Sequence, residues 1–165
     1  MIGFSLGGLL VLVAILAPTL LLALRPPADP WPASRSAGAV FDVAEHAGQV
    51  VVCVLLVAVE PAWEDADLGW SSGGAGTRTV LLAVGAVCAV LNYVPWVRYL
   101  RGGRRLTDLF RPLGGLPVPS AALPVVVLAC VAVVGSDWWL AVASAVFAVG
   151  HVANSRHLAA GLRSA

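Results

Sequence analysis

The chain has 165 residues, 59% of them hydrophobic and only 12% charged, with a formal net charge of +1. Soluble domains carry about twice that share of charge, so a mean hydropathy of +0.90 excludes an ordinary soluble domain, and no nucleic-acid partner is expected. The apolar residues fall in runs near the roughly 20 residues a helix needs to cross a bilayer; the expected class is all-α, one polytopic transmembrane bundle covering residues 1–165.

The first expected span covers about residues 2–24 and carries no charge. A cleaved signal peptide would show a basic start, a shorter apolar run and a small-residue cleavage site, so this stretch reads as a retained span with a kink at Pro18. The loop from Arg25 to Ala39 holds Pro26, Pro27, Pro30 and Pro32, which rules out a helix there. A second span is expected over about 42–60, polar at its start and apolar from Val50 to Val59. An acidic loop follows, with Glu60, Glu64, Asp65 and Asp67, and leads into a third span over about 79–97. The fourth and fifth spans, about 117–134 and 138–154, are joined only by Gly135-Ser136-Asp137, which requires a tight hairpin. Cys53, Cys88 and Cys130 each lie in an apolar run without C-x-x-C spacing and read as small buried hydrophobes.

The stretch Asn92–Pro112 holds five of the ten basic residues, Arg98, Arg101, Arg104, Arg105 and Arg111. Cytoplasmic loops of membrane proteins carry the Lys/Arg excess. Five spans with the N-terminus outside and the C-terminus cytoplasmic put every arginine but Arg78 inside. Trp63, Trp70, Trp138 and Trp139 then flank the outer ends and Trp31 and Trp96 the inner ends, as interfacial aromatics do.

Ionisable residues at membrane depth are functional candidates by default. At helical spacing Asp42, Glu45, His46 and Gln49 share one stripe of the second span. The third span brings Asn92 and Tyr93, and the fifth His151 and Asn154, to the same cytoplasmic third, with Ser144 two turns away. These residues are expected to line a pocket that binds a small polar or anionic ligand or relays protons, with Glu45, His46 and His151 as the titrating groups. Asn92, Tyr93 and Asn154 would position the ligand, Gln49 is a further ligand- or proton-binding candidate, and Arg98, Arg101, Arg104 and Arg105 would attract an anion or anionic lipid headgroups. The bland counterparts are a helix-start cap for Asp42, interhelical hydrogen bonds for the amides and topology alone for the arginines. Alternatives are a membrane-embedded enzyme acting on a lipid-type substrate, a haem or metal subunit using His46 and His151, or an assembly subunit without a ligand. Metal and haem motifs such as H-E-x-x-H and C-x-x-C-H are absent from the sequence, leaving the cofactor unknown and no metal expected. A homo-oligomer or larger membrane complex is a further expectation, since transport usually requires more spans than these.

The run Y-V-P-W-V-R-Y-L-R-G-G-R-R, followed by L-F-R-P-L-G-G-L-P-V-P-S and by V-F-A-V-G-H-V-A-N-S, resembles a pattern of small bacterial integral membrane proteins of uncharacterised function. The resemblance covers about residues 92–155. It implies a multi-pass protein of the bacterial inner membrane and carries no activity with it.

Overall fold

The computed structural model describes residues 3–59 and 74–164, so the acidic loop with Trp63 and Trp70 lies outside the described residues. The described chain is helical: α1 (Leu6–Leu24), α2 (Ala39–Ala58), α3 (Gly74–Leu91), α4 (Tyr93–Arg101), α5 (Leu106–Leu109), α6 (Pro119–Val134) and α7 (Trp138–Ser164). Four helices are long and apolar enough to cross a membrane: α1, α2, the combined Gly76–Arg101 helix and α7. The fourth expected span, α6, has only 16 residues, about 24 Å of helix against a hydrocarbon core of about 30 Å. Its neighbours explain why it can be short. Leu123, Val127, Leu128, Cys130 and Val131 are all buried, so protein rather than lipid surrounds most of it. Several boundaries also differ from expectation: α1 starts at Leu6 rather than near residue 2, α2 at Ala39 rather than near Asp42, the third span runs over Gly76–Arg101 rather than about 79–97, and α7 continues to Ser164 instead of ending near Asn154.

The outer surface is apolar, with Leu10, Leu20, Val50, Val54, Val87 and Val149 among the large exposed hydrophobics. Because lipid tails solvate such side chains as well as protein does, helix association relies on close backbone approach and polar contacts. The most extensive pairing joins α2 and α7, and glycine makes it possible. A Cβ on Gly150 would run into Phe41 O and Glu45 N, and one on Gly48 would sit 2.6 Å from Phe147 N. Gly8 does the same for α1, where a Cβ would collide with Leu56 O. Ser5 caps α1 by accepting from Gly8 N at 2.9 Å.

Prolines set the helix defects. Pro18 offers no N–H to the Ala14 carbonyl four residues earlier, and the Tyr93 hydroxyl donates to that oxygen at 3.0 Å. Pro95 likewise leaves Leu91 without its i+4 donor, and the helix is interrupted at Asn92, between α3 and α4. Asn92 keeps helical dihedrals, φ −59° and ψ −24°, so the two segments continue nearly in line.

One end of the bundle collects the loops and the basic residues. Tyr99 donates to Arg25 O at 2.6 Å, Ala28 N to Arg104 O at 3.0 Å, and Arg104 Nη1 to Pro26 O at 3.2 Å. The proline-rich loop also lies along the last third of α7, where His157 and Ser34 meet at 3.2 Å. Arg25, Arg35, Arg98, Arg101, Arg104, Arg105, Arg111, Arg156 and Arg163, nine of the ten basic residues, therefore sit at this end. The chain returns toward α6 through a turn in which Leu113 and Leu116 exchange backbone hydrogen bonds at 2.9 and 3.0 Å. Its two central residues, Gly114 and Gly115, have φ +56° and +87°, values that glycine adopts without the Cβ clash. The expected hairpin at Gly135–Asp137 is present, and Asp137 Oδ1 caps α7 by accepting from Leu140 N at 3.0 Å.

Candidate functional site

The site builds on the α2–α7 pairing. Gly150 lets α7 approach the backbone of α2 at Glu45, so residues just beyond it on α7 face the polar first half of α2. His151 Nδ1 lies 2.7 Å from Glu45 Oε1, with the two side chains 23% and 21% exposed. An ionised carboxylate only accepts, so with Glu45 ionised the imidazole donates from Nδ1; Nε2 then carries a lone pair in the neutral ring and a second N–H in the imidazolium. Phe147, one turn earlier, stacks on the His151 ring with centroids 4.8 Å apart.

Asn154 completes this network and spends both of its N–H groups on it. Its Nδ2 donates to Glu45 Oε2 at 2.6 Å and to Asp42 Oδ1 at 3.0 Å, and its Oδ1 accepts from Ala37 N at 2.9 Å. Asn154, expected to position a ligand, is not among the cavity-lining residues and clamps the start of α2 onto α7. Asp42 is not a cap either: Gly38 occupies the N-cap position, and the Asp42 carboxylate serves the clamp.

A cavity of about 240 Å³ lies against the pair, reached by α1, α2, α4, α5, α6 and α7. Glu45, Gln49, Asn92 and His151 all line it. Asn92 is 2% exposed, and its Oδ1 has no hydrogen-bond partner among the described residues. Thr19, Ser120 and Ser155 also line the cavity and were not singled out from sequence. Ser155 was findable, because it follows His151 by four residues on the same helical face. Trp96 was expected at the interface, yet it is 4% exposed and forms part of the cavity wall. It meets the Tyr99 ring edge to face at 6.3 Å.

Two expected site residues are elsewhere. His46 is exposed, with Nδ1 donating to Asp42 O of its own helix at 2.8 Å, and it is not part of the cavity lining. His46 and His151 thus do not face each other across a shared space. Tyr93 spends its hydroxyl on Ala14 O, outside the cavity. The arginines lie apart from it as well. Arg98 Nη1 donates to Pro112 O at 3.3 Å and Arg104 to Pro26 O, so these two fasten loops. Arg101 and Arg105 are exposed at the surface. Ser144, 4% exposed, has a hydroxyl without a partner among the described residues and stands outside the cavity.

Chemically the arrangement is a carboxylate–imidazole pair able to hold and pass a proton, at the wall of a mostly apolar space. The cysteines add nothing to it: Cys53, Cys88 and Cys130 are free thiols. Among the described residues, no three His, Cys, Asp or Glu side chains come together to hold a metal ion. Compared with protein-family models, with curated proteins and with solved structures, the chain matches none of them.

Proposed function

We propose that this chain is a bacterial inner-membrane protein whose pocket, open to the cytoplasm, binds a small ligand and exchanges protons through Glu45 and His151. The observation that carries this reading is the 2.7 Å contact between His151 Nδ1 and Glu45 Oε1 in the wall of a cavity. Carboxylate-paired histidines at membrane depth are the groups from which proton relays and binding sites are made. Binding or transport is the activity assigned, in preference to catalysis.

The threading proposed with it has five crossings, α6 being the short one, with the N-terminus outside and the C-terminus in the cytoplasm. Its support is the gathering of nine arginines at the end of the bundle nearest Asn154 and the proline-rich loop, which the positive-inside tendency assigns to the cytoplasm. Arg101 and Arg105, exposed at that end, are placed to meet anionic lipid headgroups.

Cysteine labelling tests the pocket. In a background with Cys53, Cys88 and Cys130 replaced by alanine, Ser155→Cys should react with a membrane-impermeant maleimide in inside-out vesicles and be protected in right-side-out ones. Labelling only in right-side-out vesicles would overturn the orientation. Labelling in neither would overturn the open pocket.

A further inference from the structure

The cavity continues beyond its polar wall. Ile15, Leu16, Gln49 and Phe147 line both it and a second, narrower space. That crevice runs between α1 and α2, away from the arginine-rich end, past Leu12, Val52 and Leu56. Apart from Gln49 at its mouth, its lining is apolar. Val52, Leu56, Leu128 and Phe147 are buried, so the crevice belongs to the inside of the bundle and not to its lipid-facing surface. Its far end is blind, because α1 and α2 meet where a Cβ on Gly8 would collide with Leu56 O. The crevice holds about 20 Å³, little more than the roughly 10–15 Å³ that one water needs, so it admits the end of a single chain.

The polar groups around the cavity are mixed. Gln49, Ser120 and Ser155 line it, and each can both donate and accept. Both Glu45 oxygens are already bonded, to His151 and to Asn154, and no arginine lines the space. Such a wall suits an uncharged group that gives and takes hydrogen bonds, whereas burying a charge without a dedicated partner costs far more.

We propose that the cavity binds a single-chain amphiphile of medium length with a small uncharged polar head such as a hydroxyl. This rests on the pocket reading above and names the ligand class of that site. The head lies among Gln49, Ser120 and Ser155, and the chain follows Ile15, Leu16 and Phe147 into the crevice. Glu45 to Leu56 spans about 16 Å along α2, with the head at the arginine-rich end and the tail directed toward the middle of the bilayer, as in the lipids of that leaflet. The cavity's volume of about 240 Å³ is below the roughly 300 Å³ at which sites for drug-sized ligands begin, which leaves no room for a two-chain lipid.

The test is photo-cross-linking of the full chain in nanodiscs with an octanol that carries a diazirine near its methyl end, the adducts being mapped by mass spectrometry. Adducts should fall on Leu12, Val52, Leu56 and Leu128, and excess n-octanol should reduce them at least tenfold. Octanoate and octylammonium should compete at least tenfold less well. Leu12→Phe, which adds bulk beside the crevice, should lower the adducts on Val52 and Leu56 about tenfold. Leu82→Phe, on the exposed side of α3, should have no effect. A phosphatidylcholine with the same diazirine should label Leu82 and not the crevice. Adducts confined to Leu82 and its exposed neighbours would make the chain an ordinary lipid contact and overturn the assignment. Equal labelling of the crevice by phosphatidylcholine, labelling that excess n-octanol leaves unchanged, better competition by either charged analogue, or unchanged adducts in a folded Leu12→Phe would each overturn it too. Should Leu12→Phe fail to fold, the competition arms on the parent chain still decide. Failure of the broader reading is separate: an unlabelled Ser155→Cys removes the open pocket, whereas a labelled Ser155→Cys without crevice adducts removes only the amphiphile.

Discussion

Replacing Tyr93 with phenylalanine removes one oxygen, and its consequence depends on a residue 75 positions away in another helix. The Tyr93 hydroxyl is 3.0 Å from the Ala14 carbonyl, the one acceptor that Pro18 deprives of its helical donor. Interhelical hydrogen bonds in membranes average about 0.6 kcal/mol and reach about 1.7. Leaving the acceptor with no partner at all raises the cost toward 1–3 kcal/mol, so Tyr93→Phe should destabilise by about 1–2 kcal/mol. In a Pro18→Ala background residue 18 regains an N–H for that carbonyl, and the same change should cost about 0.5 kcal/mol or less. The void left by the smaller alanine cancels in the double-mutant cycle. The coupling of about 1 kcal/mol is well above the roughly 0.3–0.5 kcal/mol scatter of independent sites. Unfolding in mixed SDS–detergent micelles measures it. Equal costs of Tyr93→Phe in both backgrounds would refute the pairing of hydroxyl and freed carbonyl.

The other expectations use the same titration or simple cell assays. Asn154→Ala removes hydrogen bonds to Glu45, Asp42 and Ala37, two of them to carboxylates, and should cost about 2–4 kcal/mol; Asn154→Asp, which sets a third carboxylate against two, should be worse than alanine. Gly150→Val drives a side chain into the α2 backbone and should abolish the folded monomer on size-exclusion chromatography. Gly76→Ala, which meets open space, should stay within about 0.5 kcal/mol of the parent. Reporter fusions after Asp108 and after Trp70 should report cytoplasm and exterior respectively, and an external Asp108 would overturn the threading.

What the sequence made legible was depth, and what it hid was azimuth. Position along a helix follows from counting at about 1.5 Å per residue, which is why Glu45, Asn92 and His151 could be assigned to one level before any helix was packed. Facing depends on which neighbour a helix meets, and one residue is a turn of about 100°. His46 and Tyr93 are the immediate neighbours of Glu45 and Asn92, share their level and point elsewhere: His46 to the exposed side of α2, Tyr93 to α1. Trp96 was misjudged for the same reason, because an aromatic at an interface level can be turned inward. The shortness of α6 was hidden differently. Its apolar run looks the same whether lipid or protein surrounds it, and only the burial of Leu123, Val127, Leu128 and Val131 distinguishes them.

The Glu45–His151 pair sits on the most extensive helix pairing among the described residues, which determines how its chemistry can be separated from its stability. Gly48 and Gly150 fix the distance between α2 and α7, and Asn154 fixes their register through hydrogen bonds to Asp42 and Glu45 that spend both of its N–H groups. These hold the imidazole and carboxylate within hydrogen-bond reach by rigid helices rather than by a loop, as a precise site requires. The same arrangement means that losing Gly150 or Asn154 disturbs fold and site together, so loss of binding in those variants would say little about ligand contact. Asn92 is different. It lies at the junction of α3 and α4, and its oxygen has no hydrogen-bond partner among the described residues. Removing that unpaired acceptor need not weaken the fold, so a change in binding at Asn92 is read apart from stability.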